Sequence, residues 1–272
     1  MLILGFDFTS RPGPRKPVTC AHCRLDGQTL RFARIETFPD FAGFEAALRR
    51  PGPWVAGFDF PFAHARRFIA AMGWPETWPA YAAHLRSLTR EGYRAALEAY
   101  KAPRPRGDRE HPREFERGTG ASSPQKLYGV PVALMLYEGV PRLVAAGLHL
   151  PGLCDGDRDR TGIEAYPGMA ARALLGTRAP YKADGPAGRT QGRAAARAGI
   201  LDALRGEPGQ RRYGLTVDAP DALADDPAGD RLDALLCAVQ AAWAYRRGHA
   251  AAGPPGADPL EGWIADPALW DR

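Results

Sequence analysis

The chain is predicted to form an α/β fold built on a mixed sheet flanked by helices. Three observations carry this: a hairpin-forming opening, a pair of short apolar runs that each end in an aspartate, and a late helix that is apolar nearly all round. The opening comes first. Leu2 to Thr9 is a brief apolar run closing on polar residues, as a buried strand does. Two further strands are expected over 17–25 and 28–38, parted by Asp26-Gly27, a strong two-residue hairpin signal. A short amphipathic helix over 40–50 is stopped by Pro51-Gly52-Pro53. Trp54 to Phe60 is then a fourth strand, and Pro61 is expected to open the next helix. The order so far is strand, strand, strand, helix, strand.

Residues 61–150 read as a helical and basic-loop insertion within a single domain spanning 1–272. Helices interrupted near Trp74-Pro75 and Trp78-Pro79 give way, between Lys101 and Lys126, to a stretch with no apolar period. That stretch reads as a long exposed loop, and it holds seven basic side chains against four acidic ones. Arg104, Arg106, Arg109, Arg113, Arg117 and Lys126 are candidate contacts to nucleic-acid phosphates, with Lys182 added from a later segment. Helical pattern returns over 127–146, a strand is expected over 161–166, and helices over 169–175, 188–204 and 230–247. Gly262-Trp263-Ile264 reads as a short closing strand.

The bulk numbers bound the function. A chain of 272 residues, 45% hydrophobic and 25% charged, buries a substantial core without staples. No apolar stretch reaches the roughly 18 residues a membrane span needs, and the first residues lack the basic start of a signal peptide. A cytoplasmic protein with no membrane partner is therefore expected. The net charge of +5, with a pI near 9.2, favours polyanionic partners weakly. Only four of the basic residues are lysines, so much of the charge reflects an arginine-rich compositional bias. Cys20-Ala-His-Cys23 has half of a zinc motif, but no second pair stands at ligand spacing. The expected alternative is two cysteines pointing the same way out of a strand end.

The aspartates carry the functional reading. Gly5-Phe6-Asp7-Phe8 and Gly57-Phe58-Asp59-Phe60 place the same device at the C-terminal end of two buried strands, where α/β sheets bind ligands. A carboxylate between two phenylalanines carries a desolvation cost that a cation offsets. Asp230 and Asp233 lie three apart at the start of the apolar helix, on one face of its first turn. Each acid also fits a capping role: Asp59 before Pro61, and Asp230 with Asp233 as a capping pair. Glu164, within Ile163-Glu164-Ala165-Tyr166-Pro167, is either a further ligand or the partner of an arginine. Clustered carboxylates repel unless a hard divalent ion relieves them, which points to Mg²⁺ or Mn²⁺. Two such ions, about 4 Å apart, can cleave a phosphodiester.

Taken in order, Gly-Phe-Asp-Phe-Thr, Gly-Phe-Asp-Phe-Pro-Phe, Ile-Glu-Ala-Tyr-Pro and Asp-Arg-Leu-Asp-Ala-Leu-Leu-Cys-Ala resemble a bacterial domain-of-unknown-function family described as predicted RNase H-like nucleases. Pro180-Tyr181-Lys182 and Glu261-Gly262-Trp263-Ile264 suit it too. The resemblance implies an RNase H-like (RuvC-like) fold, with three antiparallel strands, a helix and then parallel strands, and a metal-dependent nuclease acting on DNA or RNA. RuvC-type resolvases carry acids on the first strand, the fourth strand and the last helix. Carried across, these fall on Asp7, Asp59, Asp230 and Asp233, with Asp7, Asp59 and Asp233 as the metal ligands and Glu164 as a further catalytic candidate. An Asp stands here where those resolvases have Glu on the fourth strand, which shortens the reach to metal. Two alternatives remain at this point. One is a non-catalytic nucleic-acid- or protein-binding module on the same fold. The other is an actin-like or sugar-kinase-type ATP-binding protein in which Asp7, Thr9 and Ser10 hold magnesium and phosphates, although no second glycine-rich phosphate loop is found.

Overall fold

The computed structural model describes residues 1–183 and 185–270. Among them one seven-stranded mixed sheet forms the centre, with helices on both faces. The hairpin forms as the Asp-Gly signal predicts. β2 (Val18–Asp26) and β3 (Thr29–Phe38) pair antiparallel, and Gly27 takes the left-handed φ of 57° that the turn requires. β1 (Leu2–Asp7) lies between β2, antiparallel to it, and β4 (Trp54–Phe58), parallel to it. α1 (Phe41–Leu48) makes the crossover and is capped by Asp40, whose side chain accepts from Gly43 N at 2.8 Å.

After β4 come α2 (Arg66–Ala71), α3 (Trp78–Ser87), α4 (Arg90–Lys101) and α5 (Val132–Ala145). Beyond them lie β5 (Leu148–His149), β6 (Asp157–Glu164), α6 (Pro167–Leu175), α7 (Gln191–Arg205), α8 (Glu207–Tyr213), β7 (Thr216–Asp218) and α9 (Asp230–Arg246). The strand order is β5-β6-β4-β1-β2-β3-β7. The expected closing strand is a single parallel bridge from Ile264 to Glu164 at the end of β6.

Each strand alternates between two cores. Leu4, Phe6 and Phe8 face one side with Ala56, Phe58 and the apolar faces of α1 to α5. Ile3, Val55 and Ile163 face the other with α6 to α9. This period of two corrects the expectation for the cysteines. Cys20 and Cys23 are an odd number of residues apart, so they point to opposite faces, each buried in a different core. They cannot share an ion.

Two other expectations change. Pro61 does not open a helix: the next one starts at Arg66, with Ala65 as its N-cap, so Asp59 is not a capping residue. The Lys101–Lys126 stretch is not a free loop, because His111, Arg113, Glu116 and Gln125 within it are buried. Gln125 Oε1 accepts from His111 N, and Glu261 accepts from both Arg66 N and Glu114 N at 2.6 and 2.7 Å. The Glu261 motif thus ties the stretch to the domain.

The closest packing is between α9 and the centre of the sheet. A Cβ on Gly5 would stand 2.0 Å from the Ala234 carbonyl oxygen, and one on Gly57 would stand 2.3 Å from that of Cys237. Only glycine allows α9 to lie directly on β1 and β4. Replacing Gly5 by Ala is expected to cost about 3 kcal/mol, at the upper end for overpacking, because the obstruction is helix backbone. Urea unfolding measures it; a variant as stable as wild type would mean that α9 can shift without penalty.

Candidate metal centre

The two Gly-Phe-Asp runs lie side by side in register: Gly5 opposite Gly57 and Phe6 opposite Phe58, with Asp59 N donating to Phe6 O at 3.0 Å. The phenylalanines stack on one face, 4.9 Å between centroids and 8° between planes. The glycines and aspartates share the other face, under α9. Because the glycines let that helix in, Asp233 on its first turn comes down beside Asp7 and Asp59. One carboxylate oxygen from each of the three lies within 4.8 Å of the others. Asp7 and Asp233 are buried, and Asp59 is half-buried.

The remaining acids behave differently. Asp230 is the first residue of α9, not its cap, which is Gly229 in the left-handed conformation. Its carboxylate accepts from Lys16 Nζ at 2.5 Å. Glu164 lies opposite Phe58, so it emerges on the phenylalanine face, and Ala165 takes the place beside Asp59. Of its two open roles, Glu164 takes the structural one. It binds the buried Arg113 guanidinium through both oxygens, one at 2.7 Å, and accepts from Phe62 N at 2.9 Å. Glu116 holds the same guanidinium at 2.7 Å. Arg113 is 0% exposed, so it cannot meet a phosphate.

The other basic candidates scatter. Arg104 stacks on Tyr100, 3.6 Å from the ring centre. Arg109 donates to Arg104 O, and Arg106 is exposed. Arg117 and Lys126 border depressions that lead to the acids. Lys182 is at the acids themselves, its ammonium ion-paired with Asp233 and 3.8 Å from Asp7.

Tyr181, next to it, donates its hydroxyl to Asp233 Oδ1 at 2.7 Å. Sequence reasoning missed Tyr181 and Lys16 as parts of the centre. The scarcity of lysine is a signal that would have found Lys16. In a chain where arginine has replaced most lysines, two of the four that remain touch these carboxylates. A compact ammonium enters a site that a planar guanidinium fork does not fit.

The electrostatics follow from this crowding. Burial raises the Asp7 carboxyl well above its usual range, and the Lys182 charge only partly reverses this. Asp233 is raised by burial as well, against the pull of Lys182. Burial pushes Asp59 up to about 7. Burial disfavours the Lys182 ammonium, but Asp233, Asp7 and Asp59 outweigh it and hold it charged.

Four carboxylates (Asp7, Asp59, Asp230, Asp233) therefore face two ammoniums, a deficit of two charges when all are ionised. Among the described residues no side chain donates a hydrogen bond to Asp59, and the Asp233 oxygen facing Lys182 has that ammonium alone as its partner. An all-oxygen donor set with that deficit suits one hard divalent cation such as Mg²⁺ or Mn²⁺.

The sign of the pH dependence is set by these shifts. A carboxyl whose pKa is raised on folding stabilises the fold while it is protonated, and that contribution is lost as pH rises through its folded pKa. Metal binding needs the ionised form. Calorimetric titration with Mn²⁺ should show affinity weakening as pH falls below about 7, with proton release. Melting of the metal-free protein should move the opposite way and weaken as pH rises through the same window.

Among the described residues no helix is long and apolar enough to cross a membrane. No curated protein and no solved structure matches the chain. Residues 5–258, which include all the clustered acids and Lys182, match the family described as "Protein of unknown function (DUF429)", and the chain belongs to that family.

Proposed function

We propose that the protein is a metal-dependent nuclease with an RNase H-like fold, hydrolysing phosphodiester bonds at the Asp7–Asp59–Asp233 centre. The observation that carries this is the convergence of three carboxylates, from a first strand, the end of a parallel fourth strand and a late buried helix, to within 4.8 Å. The order β3-β2-β1-β4-β6, with its first three strands antiparallel, supports the same fold.

Asp7, Asp59 and Asp233 would hold Mg²⁺ or Mn²⁺. When bound, such an ion supplies Lewis acidity toward a phosphodiester oxygen and makes water more acidic. Tyr181 fixes the orientation of Asp233. Lys182 sets a positive charge where phosphate would approach, and Lys16 neutralises Asp230. The test is incubation of labelled single-stranded and duplex DNA and RNA with Mg²⁺ or Mn²⁺, scored on denaturing gels. Cleavage that chelation abolishes supports the reading.

The Lys182 ammonium between Asp7 and Asp233 favours a second reading, a non-catalytic binding module in which that ammonium, and not a metal ion, holds the two acids together. Absence of cleavage on every substrate, together with no heat of Mn²⁺ binding, would select it.

A further inference from the structure

We propose that a single-stranded nucleic acid lies along a track running from the carboxylate centre, past Lys126 and Tyr128, to an arginine-lined groove made by Arg117, Arg172, Arg178 and Arg212. The inference rests on the nuclease reading for its start point and adds the substrate class and the surface that holds it.

The track is continuous. A cavity of about 250 Å³ bordered by Asp59 and Asp233 shares Glu116, Ser122 and Lys126 with a neighbouring depression. That depression in turn shares Gly118 and Gly120 with the groove holding the four arginines. Among the described residues no acidic side chain lines the groove. Arg117 is held at 2.8 Å by the exposed Glu114, and Arg212 by the buried Asp266. Among the described residues the other two have no ion-pair partner. Arg172 donates one nitrogen to Gly120 O at 3.0 Å, and its second terminal nitrogen has no partner among the described residues. Arg178 is exposed and has no hydrogen bond or ion pair among the described residues. The acids in the middle of the track are already occupied: Glu110 by Lys101 at 2.6 Å and Glu116 by Arg113 at 2.7 Å.

Two features favour a single strand. The cavity at the centre is too small for a duplex, whose major groove alone is about 12 Å wide, but it accepts a group of nucleotide size. Tyr128, which lines the middle depression, is 66% exposed, with the Lys126 ammonium 5.4 Å from its ring centre on one side, so that a base can stack on the ring beside a positive charge. Of the basic residues in the 101–126 stretch, Arg117 and Lys126 lie on this track with accessible side chains, while Arg113 borders the central cavity but is buried and held by Glu116 and Glu164. The other three arginines come from α6, the segment after it, and α8, and no sequence window holds them together.

The test is fluorescence anisotropy of labelled single-stranded 12-nucleotide DNA and RNA, and of the matching duplex, on Asp7→Asn protein in EDTA. Binding is then read without turnover. Single strands are expected to bind more tightly than duplex. Arg178→Ala with Arg172→Ala should weaken that binding about tenfold or more and flatten the salt dependence by about 1.4 in slope, 0.7 for each phosphate released. Tyr128→Ala should cost about fivefold or more. Arg178 and Tyr128 are exposed, so these variants fold whatever happens at Arg172, and Arg178→Ala alone decides if the double variant melts early. Unchanged affinity in Arg178→Ala and Tyr128→Ala, equal or tighter binding of duplex, or no binding at low salt would overturn the proposal. The outcome is separable from the nuclease reading. Binding that depends on these side chains in a wild type that cleaves nothing would leave the track standing and remove the catalysis, while cleavage indifferent to them would do the reverse. Preference between the DNA and RNA strands identifies the sugar.

Discussion

Asp7→Asn is expected to remove Mn²⁺ binding and any hydrolysis together, while leaving the protein folded and, without metal, as stable as wild type or more so. Asp7 is a carboxylate that interacts with each of the other three. It is buried, it feels Asp230, Asp233 and Asp59, and burial already resists its ionisation. An amide of the same shape removes a charge that the fold disfavours and an oxygen ligand that a cation needs. The stability effect and the binding effect therefore have opposite signs, which a merely structural aspartate would not produce. Losses should exceed the roughly 10–100-fold that removal of an outer-shell partner costs a metal site. Tyr181→Phe, which deletes the hydroxyl on Asp233, should fall within that smaller range. Paired calorimetric titrations and thermal melts read both effects. An Asp7→Asn protein that binds Mn²⁺ like wild type would dismantle the centre as described.

Arg113→Ala is expected to destabilise the protein by about 3–5 kcal/mol, the usual cost of breaking a buried ion pair from one side. The side chain is 1% exposed and satisfies Glu116, Glu164 and the Glu261 carbonyl at once. Its loss would leave two buried carboxylates facing each other without a cation. Burial already raises Glu164 to about 7 even with Arg113 present. The variant should accordingly lose most at pH 8 and recover part of its stability toward pH 5, as Glu164 takes up a proton. Adding Glu164→Gln should restore part of the loss at pH 8, a coupling that a double-mutant cycle measures. Arg113→Lys should not substitute, because an ammonium cannot span both carboxylates as the fork does. A loss that is independent of pH would show that the cavity left by the side chain, and not the orphaned charge, dominates.

These two arginine-linked and aspartate-linked results separate what was legible in the residue order from what was not. The opening hairpin, α1, β4 and α9 all stand in the sequence with their own signals: Asp-Gly at the turn, a Pro-Gly-Pro stop, two short apolar runs and a helix without a polar face. The triad Asp7, Asp59 and Asp233 was legible for the same reason, since each lies at the end of such an element. Glu164 was ambiguous because its strand end was known but its register was not. One residue of shift in β6 decides whether an acid faces α9 or the phenylalanines, and Ala165 took the first place. The short strands β5 and β7 were not foreseen, as two or three residues cannot show a period.

The stretch between Lys101 and Lys126 was read from its composition, and composition cannot tell a charged side chain on the surface from one buried against its opposite. His111, Arg113, Glu116 and Gln125 hold that stretch down through contacts to residues far along the chain.

By itself, the sequence determined an α/β chain with a mixed sheet and the three aspartates worth testing, because strand period and helix pattern are local and fix which face each residue takes. Only the tertiary structure decided that Lys182, Lys16 and Tyr181 join those aspartates, that Glu164 and Arg113 leave them for a buried pair, and that Arg172, Arg178 and Arg212 gather around Arg117. Those outcomes depend on strand register and on how closely α9 can approach Gly5 and Gly57, distances that no single element contains.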